Sequence, residues 1–190
     1  MSFDFTAARN NMVESQVRVA DVTDYAIQDA MRVVERERLL PDAKRSLAYA
    51  DVEVAYAPGR ALMRPRDAAK LLQAIRPRAG ERALAIAAPY LAEVMRTIGL
   101  QVDQLDEGDL AAPPQGQYDV VVSEGAVTAA PEAWTGALAP GGRLGVVERD
   151  GPVGKARVYV RGETGLGVRE VFDATPPMLG GFEAPRQFAF

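Results

Sequence analysis

Apolar residues recur at helical spacing through the first part of the chain. Over residues 6–18, Met12, Val13 and Val17 share one side, which predicts a helix with one buried face. Thr23-Asp24 supplies an N-cap for a second helix, from about Tyr25 to Glu37, with Ile27, Met31 and Val34 on one side and Pro41 closing it. Periodicity lapses over 46–64, which reads as extended or looped. Pro65 stands where the first residue of a helix belongs. Ala68, Leu71, Leu72 and Ile75 give that helix an apolar face, and Pro77 and Gly80 end it.

Beyond Gly80 the period alternates between strand and helix. Ala83–Ala87 is a short apolar strand, Leu91–Ile98 a helix stopped by Gly99, and Leu100–Leu105 a second strand. Tyr118–Val122 is almost wholly apolar, as the middle of a parallel sheet requires. Pro131–Leu138 reads as a helix ended by Pro140-Gly141-Gly142, and Arg143–Glu148 as another strand. Ala156–Val160 and Val168–Phe172 then read as antiparallel strands joined by a glycine-rich turn. Strand–helix alternation closing on a hairpin predicts an α/β fold, a doubly wound and mostly parallel sheet with an antiparallel C-terminal edge.

Composition narrows the chemistry. The chain has 190 residues, 48% apolar and 25% charged, enough for one soluble domain with its own core. It contains no cysteine and no histidine. Disulfides, thiolate zinc sites, cysteine nucleophiles, Ser-His-Asp triads and the usual transition-metal sites are therefore excluded, and no metal site is expected. Acid–base work would fall to carboxylates, Tyr or Lys. The net charge of −4 argues against a nucleic-acid partner. The start lacks a basic segment leading into an apolar run, and no apolar stretch approaches the roughly 20 residues of a membrane span, so a cytoplasmic protein is expected. Docking on a membrane complex from outside stays open.

Several motifs, in order and spacing, carry a family resemblance. They are Met12-Val13-Glu14-Ser15-Gln16-Val17-Arg18 with Val22-Thr23-Asp24, Leu47-Ala48-Tyr49-Ala50-Asp51, and Pro58-Gly59-Arg60-Ala61-Leu62-Met63-Arg64-Pro65. Tyr118–Val122, Leu138-Ala139-Pro140-Gly141-Gly142-Arg143-Leu144, Phe172-Asp173-Ala174 with Pro177, and Gly181-Phe182 complete the set. Together they resemble the bacterial protein-L-isoaspartate O-methyltransferases. The resemblance implies a Rossmann-like methyltransferase fold, S-adenosylmethionine as cofactor, and methylation of isoaspartyl carboxylates in damaged proteins. It also divides the chain into a helical and substrate-loop region over 1–78, packed on a Rossmann-like core over 79–190.

Against that pattern the chain departs in three places. The strand that should open a glycine-rich cofactor loop runs Leu84-Ala85-Ile86-Ala87-Ala88-Pro89-Tyr90. Ala87 and Ala88 place Cβ atoms where a backbone should approach a ligand closely, and Pro89 removes a donor. A plain strand-to-helix turn is the better reading there. Next, Asp106 stands where the second strand would offer a carboxylate to the ribose, or is only a solvated turn residue. A helix and an edge strand expected after it are absent, which predicts a sheet of about six strands. Finally, Met63 takes the position that the resemblance gives to a reactive serine, and Met cannot donate a hydrogen bond to a carboxylate. Arg60 and Arg64 could hold a carboxylate electrostatically or form a solvated face. Ser123 and Glu124, at the end of the central strand, are the remaining vestigial cofactor candidates, with no catalytic residue intact.

The expectation is a pseudoenzyme kept for its shape, with no cofactor, acting as an accessory or adaptor subunit of a protein complex. A respiratory assembly is one candidate, since methyltransferase folds recur among such accessory proteins. The alternative is an active or residual S-adenosylmethionine-dependent enzyme. Phe3, Phe5, Phe182, Phe188 and Phe190 cluster at the two ends, as interface anchors or as residues packed on the chain's own sheet.

Overall fold

The computed structural model describes residues 4–183. Its centre is a six-stranded sheet in the order β4-β3-β5-β6-β7-β8. The strands are β3 (Arg82–Ile86), β4 (Gln101–Leu105), β5 (Tyr118–Val127), β6 (Leu138–Glu148), β7 (Gly154–Arg161) and β8 (Leu166–Ala174). β4, β3, β5 and β6 pair in parallel, whereas β6, β7 and β8 pair antiparallel. This is the doubly wound sheet with an antiparallel edge that the alternation predicts. A separate hairpin, β1 (Val54–Ala57) with β2 (Arg60–Leu62), occupies much of the aperiodic stretch.

The pleat divides the core in two. Ala83, Ala85, Val120 and Val122 face the larger cluster, formed with Met12, Val17, Ile27, Met31, Leu71 and Leu72. Leu84, Ile86, Val121, Leu144 and Val146 face the smaller one, with Trp134, Leu138 and Leu179. The first face is covered by α1 (Phe5–Met12), α2 (Tyr25–Val33), α3 (Pro65–Ile75) and α4 (Pro89–Ile98). The N-terminal region and the sheet therefore share one continuous core.

The second face is thinly covered, because the connection from β4 across β3 to β5 contains no helix and no strand. Residues 106–117 cross as a loop. Leu110 is buried, and the indole N–H of Trp134, from the short α5 (Glu132–Gly136), donates to its carbonyl at 2.7 Å. The chain's one tryptophan thus pins the segment that replaces a crossover helix.

Local departures from the expected boundaries have local causes. The first helix continues beyond Met12 as a π-helical turn, Val13–Val17, and a 3₁₀ turn, Arg18–Ala20. α2 ends at Val33, four residues early, and Val34 is extended. Just beyond, Arg36 is fully buried and donates to distant backbone carbonyls, a placement that a continued surface helix would not give it. Pro140-Gly141-Gly142 lies inside β6, where the register shifts against β5. A Cβ on Gly142 would lie 2.7 Å from the Tyr118 carbonyl oxygen, so the close approach of the two strands needs glycine. No helix among the described residues is long and apolar enough to cross a membrane.

Candidate functional site

The site that this fold would use lies where β3, β4 and β5 end, at the turn into α4. Ala87 occupies that turn at φ +47, a left-handed conformation that ordinarily calls for glycine. Its N–H donates to the Leu105 carbonyl at 2.9 Å, tying the turn to β4. Ala87 and Ala88 are completely buried. Pro89 is the first residue of α4 and Ala88 offers no side-chain cap, so the first free helix donors are the amides of Tyr90 and Leu91.

Glu124 takes those donors. A register shift between Val122 and Ala126 breaks the β5 alternation, and Gly125 sits at φ +107. The side chain that follows Ser123 is thereby aimed at the helix start. Its carboxylate accepts from the Tyr90 amide at 3.3 Å and the Met63 amide at 3.1 Å, with the Leu91 amide as a further donor. A carboxylate at a helix N-terminus also meets the positive end of the helix dipole. Glu124 is nevertheless fully buried, and burial pushes its pKa up to about 7, against the pull of Arg36 and the three amides.

Arg36, also fully buried, acts on Glu124 through its charge without a direct ion pair. Its Nε donates to the Ala48 carbonyl at 2.8 Å, and an Nη donates to the Met63 carbonyl. Its guanidinium lies over the Tyr90 ring, 4.6 Å from the centroid. Desolvation lowers the Arg36 pKa, and Glu124 raises it again. Tyr90 is wholly buried and burial holds its hydroxyl above the ordinary phenol range. Arg36, Met63, Tyr90 and Glu124 thus form one buried unit linking the N-terminal region, the substrate-loop hairpin, α4 and β5.

The other candidates are placed around this unit. Met63 is buried in the larger core cluster, its backbone serving Glu124 and Arg36. Arg64 pairs with Glu53 at 2.9 Å. Arg60 reaches the backbone oxygen of Asp106 at 3.4 Å. Asp106 follows the last residue of β4, half-buried, and accepts from the Gln104 amide nitrogen at 3.0 Å. Its pKa is raised by burial, with Arg60, Gln104 and the Ala88 amide opposing. Ser123 is buried, and its hydroxyl has no hydrogen-bond partner. Tyr56, from the hairpin, brings a second unpartnered hydroxyl toward Glu124 and Asp106. No group of carboxylates among the described residues is arranged to hold a metal ion.

Arg36 and Tyr90 escape the sequence reading. Arg36 sits in a run of charges, Glu35-Arg36-Glu37-Arg38, that reads as a solvated helix end. Tyr90 follows a proline in what reads as a plain turn. The end aromatics divide likewise. Phe5 packs on the larger core with its ring 6.5 Å from that of Tyr49, and the Phe182 ring lies tilted 5.4 Å from that of Trp134. Phe3, Phe188 and Phe190 lie outside the described residues.

No protein-family model matches the chain. Curated relatives do. A protein-L-isoaspartate O-methyltransferase of Methylorubrum extorquens is 29% identical, with 74% of each chain covered, and one from Rhodopseudomonas palustris is 29% identical, with 74% of this chain and 69% of the relative covered. Over most of its length the chain is similar to protein-L-isoaspartate O-methyltransferases. Among solved structures, a Plasmodium falciparum chain described as such a methyltransferase, in complex with S-adenosyl-L-homocysteine, superimposes with a TM-score of 0.73 at 14% identity, covering 90% of this chain and 97% of that one. A second protein-L-isoaspartate O-methyltransferase also gives 0.73, at 20% identity, covering 91% of this chain and 66% of its own.

The alignments also measure what is missing. A relative from Xanthomonas euvesicatoria aligns over 203 positions at 26% identity, yet takes 91% of this 190-residue chain, about 173 residues. Some 30 aligned positions (203 less 173) therefore have no residue here. One helix, one strand and their turns require about that many. The 106–117 connection lacks those elements.

Proposed function

We propose that this chain is closed to S-adenosylmethionine and serves as a non-catalytic accessory or adaptor subunit of a larger complex. One observation carries the reading. The α4 amides that would face a cofactor are already satisfied by the chain's own Glu124, and the surrounding Ala87, Ala88 and Tyr90 are fully buried.

The fit of the cofactor to these residues is poor. Its entry would require Glu124 to release buried amides while Arg36 stays buried beside it, and removing one member of such a pair costs about 3–5 kcal/mol. The Ala87 and Ala88 Cβ atoms occupy the space that glycine leaves open in cofactor loops of this kind. Met63 presents only backbone groups to the site, so no side chain there donates to a substrate carboxylate. What the residues do is hold four segments of the fold together, the role of a scaffold.

A second reading is a residual isoaspartyl methyltransferase. Asp106 favours it, since it keeps a half-buried carboxylate at the end of β4, with Oδ1 unpartnered. Methyl transfer from a sulfonium depends mainly on positioning. The two readings part in a transfer assay with S-adenosylmethionine, labelled in its methyl group, and an isoaspartyl peptide. The accessory reading expects no label in the peptide above a heat-treated control. Turnover lost in Asp106→Ala but kept in Arg64→Ala would establish the second reading instead. Purification at native expression then tests the accessory role. A stable co-purifying complex is expected, and recovery of free monomer alone would count against it.

A further inference from the structure

β8 is an edge strand of nine residues, with no strand on its outer side among the described residues. Its outer row of backbone N–H and C=O groups is therefore free of sheet partners. Such an edge is a template for an added strand unless the fold protects it. Covering is slight here. Leu166 is 46% exposed and Val168 57% among the described residues. Arg157 pairs inward with Glu170 at 2.9 Å, which steadies the hairpin and leaves its outer rim open.

Beside this edge, between β7–β8 and α3, two adjoining grooves of about 660 and 420 Å³ share Ala74, Arg76, Arg78 and Arg169. Their linings also contain Lys70 and Arg143. Arg143 is neutralised by Glu81 at 2.8 Å. The charged groups of Lys70, Arg76, Arg78 and Arg169 form no ion pair within 4.0 Å among the described residues, although the Arg78 backbone amide donates to Glu81 at 2.8 Å and the chain as a whole carries −4. Two of these cations are held in place. Arg169 donates to the Ala74 carbonyl at 2.8 Å, and the Lys70 ammonium lies 4.5 Å from the Phe172 ring centroid. Capping of the α3 C-terminus accounts for Arg143 and Arg169, because both bind its last carbonyls. It does not account for Arg76, Arg78 and Lys70. The acidic residues in the lining are Asp21 and Asp24, and Asp24 is already engaged as the α2 cap.

We propose that the β8 edge and this cationic groove form a docking site for an extended acidic peptide segment of a partner protein. The segment adds as a strand to β8, sets its carboxylates against Arg76, Arg78, Lys70 and Arg169, and rests apolar alternate residues near Leu166 and Val168. Main-chain bonds supply the affinity and the charges the choice of partner. A second copy of this chain is a poorer occupant, since edge-to-edge pairing would bring two such cationic grooves together. An oligonucleotide is poorer too, because the aromatic ring in the lining, Phe172, already lies under Lys70 and is not free to stack a base.

The inference does not depend on the cofactor site. Failure of either reading leaves the other standing. The test uses the full chain and two labelled ten-residue probes, alternating Val with Glu in one and Val with Lys in the other, followed by fluorescence anisotropy and amide resonances. The Glu probe should bind saturably, shift the amides of β8, and weaken as salt is raised. The Lys probe should not bind. Arg76→Glu with Arg78→Glu should weaken the Glu probe by about tenfold or more, summing two exposed charge contacts reversed in sign. Because Arg76 is a helix C-cap at φ +50, Lys70→Glu with Arg78→Glu serves as a second variant that leaves that backbone alone. No saturable binding, binding indifferent to both variants, an oligonucleotide binding where the Glu probe does not, or β8 shifts that follow protein concentration alone would each overturn the proposal.

Discussion

Replacing Glu124 by Ala removes the carboxylate whose charge offsets the buried Arg36 guanidinium among the described residues, and frees three backbone donors. The expected cost is about 3–5 kcal/mol, the range for breaking one side of a buried pair, read as a shift of the urea midpoint. The same side chain sets a pH dependence. Its pKa is pushed up from 4.5 to about 7, so between those values the folded chain holds a proton that the unfolded chain has lost. The stability linked to that proton is complete below about pH 4.5 and is lost as pH rises through about 7. Glu124→Gln should flatten this slope in denaturation curves taken from pH 5 to 8. Glu124 is legible in the sequence only as a residue at a strand end. Its partner Arg36 lies far away in the chain and is disguised by charged neighbours, and tertiary placement alone tells a buried arginine from a solvated one. Ala87 gives a companion prediction at this scale. At φ +47 an alanine carries about 1–2 kcal/mol of backbone strain. Ala87→Gly should therefore be near neutral, whereas Ala85→Gly in the middle of β3 should destabilise by about 1 kcal/mol. Both can be read from thermal unfolding.

At the scale of elements, the 106–117 connection is the most altered part of the fold, and Trp134 is what holds it down. Trp134→Phe keeps most of the buried surface but leaves the Leu110 carbonyl without its donor. The expected loss is about 1–3 kcal/mol, accompanied by faster amide exchange over 106–117. Faster exchange spread evenly over the sheet would contradict this local role. The strands and helices that bound this connection were readable because each has a clean period. The loss of the crossover was readable only against the family resemblance, which leads one to expect a helix and a strand where twelve residues cannot hold them. The irregular elements were not readable. The 3₁₀ turn Arg36–Leu39 and the hairpin β1–β2 are fixed by contacts with residues outside their own window, notably the Arg36 bonds to Ala48 and Met63.

For the whole molecule, the sheet order and the shared core follow from patterns that composition and periodicity carry well. A mostly parallel sheet needs apolar central strands, and β5 supplies one. Whether the cofactor pocket is open is a different kind of property. It depends on a bulge that turns one carboxylate toward one helix end, and no local pattern encodes that meeting. On the proposed reading, Glu124 has taken the place at the α4 N-terminus that a ligand would need. Isothermal titration of the full chain with S-adenosyl-L-homocysteine, at pH 8 where Glu124 is mainly ionised, tests it most directly. No saturable heat is expected up to millimolar ligand, corresponding to a binding free energy weaker than about −4 kcal/mol. A stoichiometric isotherm with a dissociation constant on the order of micromolar, about −8 kcal/mol, would contradict it.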